Sequence, residues 1–216
     1  MSQNVPSYPA TRPLPDAGTP GEGAARRVLH HLPEALVSVL AGGLLLAAYR
    51  QPWWSFRLYA PQYPNGLGVD ILLSGSRGDV HELDTLNHYI GMASLTTAAP
   101  IERQASLAVV ALTALAVTAL LLVPRRGPNL LAAAAAAALP LGFIADFFYW
   151  LYRFGHHLNP HAPLKLPPFT PTLFGNSVIG QFMTFARPEL GFWLATAAAC
   201  LALLLVGLRR RNSARR

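Results

Sequence analysis

Four apolar runs constrain this chain more than any other feature. They are Pro33 to Tyr49, Ala105 to Val123, Asn129 to Tyr152 and Leu190 to Leu208. The second and fourth carry no charge and the third carries only Asp146; the first has Glu34 at its start and Arg50 after its end. A bilayer core about 30 Å thick needs a helix of about 20 apolar residues. Soluble core helices rarely run that far without a polar face. Composition agrees, with 52% hydrophobic and 12% charged residues, about half of the roughly 25% charge usual in soluble domains. That balance excludes disorder through most of the chain and an ordinary water-soluble domain. The expected fold is therefore an all-α integral membrane protein with four transmembrane helices, at about 31–50, 105–123, 129–152 and 189–208.

The net charge of +7 needs no nucleic acid to explain it, because its arginines fall on one side of a four-span topology. Arg26 and Arg27 precede the first span, Arg125 and Arg126 sit in the tight turn between the second and third, and Arg209, Arg210, Arg211, Arg215 and Arg216 follow the fourth. The positive-inside rule puts that side, and both termini, in the cytoplasm. No basic, aromatic-bearing nucleic-acid fold is visible. Residues 1–28, rich in Pro, Gly and Ser, are expected to be a disordered cytoplasmic tail. Residues 29–208 are the expected membrane domain, and 209–216 a basic cytoplasmic tail. Cys200, the one cysteine, lies buried in the fourth span and excludes an intramolecular disulfide or a CxxC site.

Two long segments, 51–104 and 153–188, then face the extracytoplasmic side. Loops of this length usually carry function. In the first, Trp53 and Trp54 mark the membrane interface. Ser55 to Ala60 and Gly68 to Leu73 read as a small β-hairpin-like element around Pro61, Pro64, Asn65 and Gly66. Val80 to Met92 then has helical composition. On such a helix His81, His88 and Met92 fall within about 40° of one another. His88 and Met92 form an i, i+4 pair about 6 Å apart in rise. Imidazole with thioether is a soft donor set that suits copper. His81 lies about 10 Å from His88 along the axis, and Asp84 is placed to orient the His88 ring from outside the ligand set. The plain alternative makes these groups interfacial anchors and an ordinary helix pair. The second loop holds His156, His157 and His161, so five of the seven histidines lie in the two loops. Asp146, late in the third span, costs roughly 2–3 kcal/mol on insertion scales and needs a partner. His156, Tyr149, Arg153 or a first-loop residue are the candidates, with Asp146 either a base or ligand of the outward site or one end of a helix–loop hydrogen bond.

Several strings together form an ordered set: Tyr59-Ala-Pro-Gln-Tyr-Pro-Asn-Gly-Leu67, Leu86-Asn-His-Tyr-Ile-Gly-Met92, Asp146-Phe-Phe-Tyr149, Phe154-Gly-His156 with Lys165, and Pro171-Thr-Leu-Phe-Gly175 with Phe182. Over about residues 50–190 the chain resembles a poorly characterised family of four-span bacterial membrane proteins associated with gene clusters for nitrous oxide reductase and its copper maturation. The resemblance implies that the outward loops are the working part. It also implies a copper-handling or respiratory context and a multi-pass place in the bacterial inner membrane. Relatives tend to have an acidic residue and no histidine after the Gly-His, which favours His156 over His157 and His161.

The leading expectation is an accessory protein, not an enzyme. His88, Met92 and His156 would hold copper at the outer face, supported by Asp84, Asn87, Tyr89, Asp146, His81 and Lys165. It would present the ion to a respiratory copper enzyme such as nitrous oxide reductase. A second expectation is a quinol-interacting or structural subunit of a respiratory electron-transfer complex, with Trp53, Trp54, Tyr149, Trp150 and Tyr152 lining the site and Asp146 as proton acceptor. A third is a docking scaffold without metal. Transport is disfavoured by two spans without ionisable groups, and hydrolysis by the lack of GxSxG, HExxH or a phosphate-binding glycine loop.

Overall fold

The computed structural model describes residues 20–123 and 126–214. The expectations for residues 1–19, Arg125, Arg215 and Arg216 lie outside the described residues. The chain divides into Met1–Pro33 and Glu34–Arg216. In the first unit the backbone is helical from Pro20 onward, inside the stretch expected to be a tail.

Five α-helices are present: α1 (Pro20–Tyr49), α2 (Val80–Ile90), α3 (Pro100–Leu122), α4 (Arg126–His156) and α5 (Leu190–Ala214). Four of them, all but α2, contain segments long and apolar enough to cross a membrane: Leu32–Tyr49, Pro100–Leu122, Gly127–His156 and Leu190–Arg211. By length and composition the chain is thus a multi-pass membrane protein. Small residues let the helices approach closely. Ala41, Ala114, Ala136, Ala195 and Ala202 are all buried, and a Cβ on Gly42 would meet Thr118 Oγ1 of α3 at 2.0 Å. Large apolar side chains such as Leu36, Leu112, Leu115, Leu131 and Leu204 point outward, as a lipid-facing surface requires. Cys200 is exposed on α5 rather than buried. Where α4 begins and α5 ends, Arg209 clamps three elements. Its Nε and Nη2 donate to Glu34 Oε2 at 3.0 and 2.7 Å, and its Nη1 to Asn129 Oδ1 at 2.8 Å.

The fold is not all-α. Both long connections contribute strands to one antiparallel sheet, in the order β3-β2-β1-β5-β4. The strands are β1 (Trp54–Ala60), β2 (Tyr63–Leu72), β3 (Gly75–Gly78), β4 (Gly175–Ile179) and β5 (Phe182–Pro188). The expected first hairpin forms, with longer strands and only Pro61-Gln62 between them. Its central strand then pairs with β5 of the second connection, Phe56 opposite Ala186 and Leu58 opposite Thr184. The β4–β5 turn needs Gly180, whose φ is +61°, a left-handed value that costs other residues dearly. A sheet whose edge is completed by a distant segment leaves no local trace at that edge, which is why two separate loops were expected.

Trp53 and Trp54 are fully buried within the protein rather than exposed as anchors. Trp53 Nε1 donates to Ala48 O and Trp54 Nε1 to Leu173 O, both at 2.9 Å. Their rings pack on Phe143, Phe147 and Phe192. A Cβ at Gly191 would lie 2.5 Å from Trp53 Cδ1, so α5 opens on a glycine that admits the indole. The two tryptophans thereby join the sheet to α4 and α5.

Candidate functional site

The residues expected to hold copper do not converge on one cavity. The α2 helix stops at Ile90 because Gly91 takes a left-handed conformation, φ 79° and ψ 11°. Met92 N then donates back to Asn87 O at 2.8 Å, the bond that closes a Schellman cap. Met92 therefore lies beyond the helix, and the i, i+4 relation to His88 is lost. Met92 lines an apolar cavity under the sheet, while His88, Tyr89 and His81 are exposed on α2. His156 is half-buried at the end of α4. Its Nδ1 is 3.0 Å from Tyr152 O and its ring stacks on that of Tyr152. Lys165 is exposed. Among the described residues no three His, Cys, Asp or Glu side chains are grouped to hold a metal.

Asp84 acts on the chain rather than on His88. Its carboxylate accepts from Ser94 Oγ, Leu95 N and Thr96 N and so caps the 3-10 turn at Leu95–Thr97. Arg103 of α3 donates to Leu95 O and Thr96 O from the other side. The two histidine-bearing segments nevertheless meet along their backbones. Asn159 N donates to Gly91 O at 2.8 Å and Leu164 N to Tyr89 O at 3.0 Å. Both glycines of these strings serve close approach. A Cβ on Gly91 would lie 2.9 Å from Asn159 backbone atoms, and one on Gly155 would lie 1.7 Å from Phe169 O.

The arrangement best suited to hold a ligand lies between α3 and α4, under the end of β2. It is an open cavity of about 460 Å³. Val109, Leu139 and Phe143 line its apolar part, and Glu102, Arg103 and Asp146 its polar part. Asp146 makes no hydrogen bond or ion pair among the described residues; the expected partners are engaged elsewhere, Arg153 with Tyr149 Oη at 3.1 Å and His156 with its own helix. Arg103 is likewise committed to backbone carbonyls. The cavity is therefore largely apolar, with two carboxyl groups and the Arg103 guanidinium, held by backbone carbonyls, in its polar part. Gly142, also in its wall, would carry a Cβ with nothing within 4 Å, which leaves room beside α4.

A smaller cavity of about 120 Å³ lies under the sheet and holds Asn87 and Met92 in its wall. Ile71, Leu95, Phe147, Trp150 and Phe154 belong to the walls of both cavities. Trp150 Nε1 is buried without a hydrogen-bond partner among the described residues. Asn87, buried beneath α2, is thus a wall residue of an apolar space.

At the base of the sheet, Glu189 joins β1 to the start of α5. Its Oε1 accepts from Ser55 Oγ at 2.8 Å and from Arg187 Nε at 2.7 Å. Burial pushes its pKa up, but the Ser55 hydroxyl and the Arg187 guanidinium outweigh that and hold it below the usual glutamate value.

The sequence picked out Asp146, which lies in the third candidate span and lines this cavity, but not Glu102 or Gly142. Glu102 has the form of an ordinary first-turn acid, and only the α3–α4 packing brings it to the cavity. No protein-family model matches the chain, and no curated protein matches it in sequence. The resemblance to the nitrous oxide reductase-associated family rests on its strings alone.

Proposed function

We propose that this protein binds a membrane-dissolved amphiphile of the quinol class in the cavity between α3 and α4. The observation that carries this is Asp146, an ionisable group within a candidate span, lining a largely apolar cavity with no hydrogen-bond or ion-pair partner among the described residues. An intramembrane carboxyl is expensive unless it meets a partner. A hydroxyl-bearing head donates to a carboxylate, and an isoprenoid tail suits the apolar walls beside it. Asp146 would accept a hydrogen bond from the head's hydroxyl and Glu102 would share the polar end. The arginines of α5 follow its span at the end away from the sheet. By the positive-inside rule this supports a cytoplasmic place for that end and an extracytoplasmic one for the sheet.

Titration of the purified protein with a short-chain quinol tests this. Asp146→Asn is expected to weaken binding about 10- to 100-fold, the worth of a hydrogen bond to a charged group. Equal affinity in wild type and variant would overturn the role of Asp146.

The copper reading has one observation in its favour: backbone bonds bring the His88 segment and the segment after His156 together. In it, His88, Met92 and His156 hold the ion after a local rearrangement and present it to a respiratory copper enzyme. Copper retention by the purified protein should then fall to background in the His88→Ala, Met92→Ala double variant. Unchanged stoichiometry would remove this reading.

A further inference from the structure

The sheet face turned away from α4 carries a polar concavity of about 600 Å³ that neither reading uses. Its charge comes from Arg57, Arg77, Arg187, Asp70, Asp79 and Glu189. The carboxylates are engaged. Asp70 accepts from Arg77 Nε at 3.2 Å, Glu189 from Arg187 Nε at 2.7 Å, and Asp79 from Gly68 N at 2.7 Å. The side chain of Arg57, midway along the central strand, makes no hydrogen bond or ion pair among the described residues. Its guanidinium lies against bare backbone, since a Cβ on Gly68 would sit 2.7 Å from Arg57 Nη1 and 3.0 Å from its Cζ. Arg77 and Arg187 are each held through Nε, and their terminal nitrogens make no hydrogen bond among the described residues. The concavity thus presents three guanidinium groups whose outer donors are open, beside three carboxylates that each accept through one oxygen.

We propose that this concavity binds a phosphate group, with Arg57 as its anchor. Guanidinium forks match phosphate oxygens in pairs, and a tetrahedral oxyanion can take donors from several sides at once. The phosphate has two sources of the same chemistry. It can be free in solution, or it can be a phospholipid headgroup, because Ser55 and Glu189 in the wall stand next to Leu190, where the α5 span starts.

The full chain in detergent tests both. Inorganic phosphate is titrated against chloride at matched ionic strength while thermal unfolding is followed. In a parallel arm, phosphatidylglycerol retention is read by native mass spectrometry. A rise in Tm with inorganic phosphate supports a free-phosphate site, and lipid retention without that rise supports a headgroup site. In either arm Arg57→Gln should weaken binding about tenfold or more. Gly68→Ala keeps the charge but displaces the guanidinium, and should weaken it in the same direction. Arg50→Gln, an equal charge change outside the concavity, should leave it unchanged. Should Arg57→Gln fail to fold, Gly68→Ala decides. No binding in either arm, wild-type binding in both Arg57→Gln and Gly68→Ala, or an equal loss in Arg50→Gln would overturn the proposal.

Discussion

Glu189 stands where β1, β5 and α5 meet, and its ionisation couples their junction to pH. Its folded-state pKa lies below the ordinary glutamate value, near 4.3 in the unfolded chain. The stabilisation it provides is therefore complete above that value and is lost as pH falls through the lower folded one. Acid titration of near-UV circular dichroism should show this loss, and Glu189→Gln should flatten the same pH window. A second residue-scale expectation concerns Trp150, whose buried indole N–H has no partner among the described residues. An unsatisfied buried donor costs about 1–3 kcal/mol, so Trp150→Phe should leave Tm unchanged or raise it. A clear fall in Tm would contradict this, and would mean either that the N–H is satisfied or that the lost ring packing on Phe154 and Arg153 outweighs it. At Gly91, the left-handed φ and the 2.9 Å approach of Asn159 predict that alanine destabilises by about 1–2 kcal/mol, readable by chemical unfolding. The sequence flagged Gly91 only as part of a string. Its meaning as a helix stop depended on whether α2 continued, and periodicity alone favoured continuation to Met92.

Among elements, the helices were legible and the sheet only half so. Long apolar runs declare themselves through composition, and the described spans fall close to the expected ones. The β1–β2 hairpin announced itself through local turn chemistry. The β4–β5 hairpin also had a local signal, the two-residue Gly180-Gln181 between the apolar pairs Val178-Ile179 and Phe182-Met183. Pairing of β1 with β5 joins residues far apart in sequence, and nothing local encodes it. The same long-range closure buries Trp53 and Trp54, which read as interfacial aromatics because Trp is common there. Trp54 now links the sheet to α4 through Phe143 and Phe147 and to the second connection through Leu173. Trp54→Ala should cost about 3–5 kcal/mol, the usual penalty for truncating a large buried aromatic. It should also broaden the near-UV spectrum as the sheet loosens, whereas an unchanged unfolding midpoint would contradict its place in the core.

For the molecule as a whole, four apolar helices and a sheet built from two connections divide the labour. The helices supply a lateral cavity, and the sheet covers its end and turns a polar concavity to the other side. Asp146 was visible in the sequence as an intramembrane acid, but its environment was not, because the wall that gives it meaning comes from α3 and the end of β2. The expected copper ligands His88 and Met92 show the converse: spacing on an ideal helix aligned them, and the cap at Gly91 separated them. The central claim is that the α3–α4 cavity holds an amphiphile drawn from the membrane. Gly142→Leu tests it most directly, because Gly142 stands in the cavity wall and a Cβ there would meet no atom within 4 Å. Organic extraction of the purified protein followed by mass spectrometry should find a bound amphiphile at close to one per chain in wild type and none in Gly142→Leu, with Tm preserved. The same amphiphile at the same stoichiometry in both proteins, or none in wild type, would contradict the account.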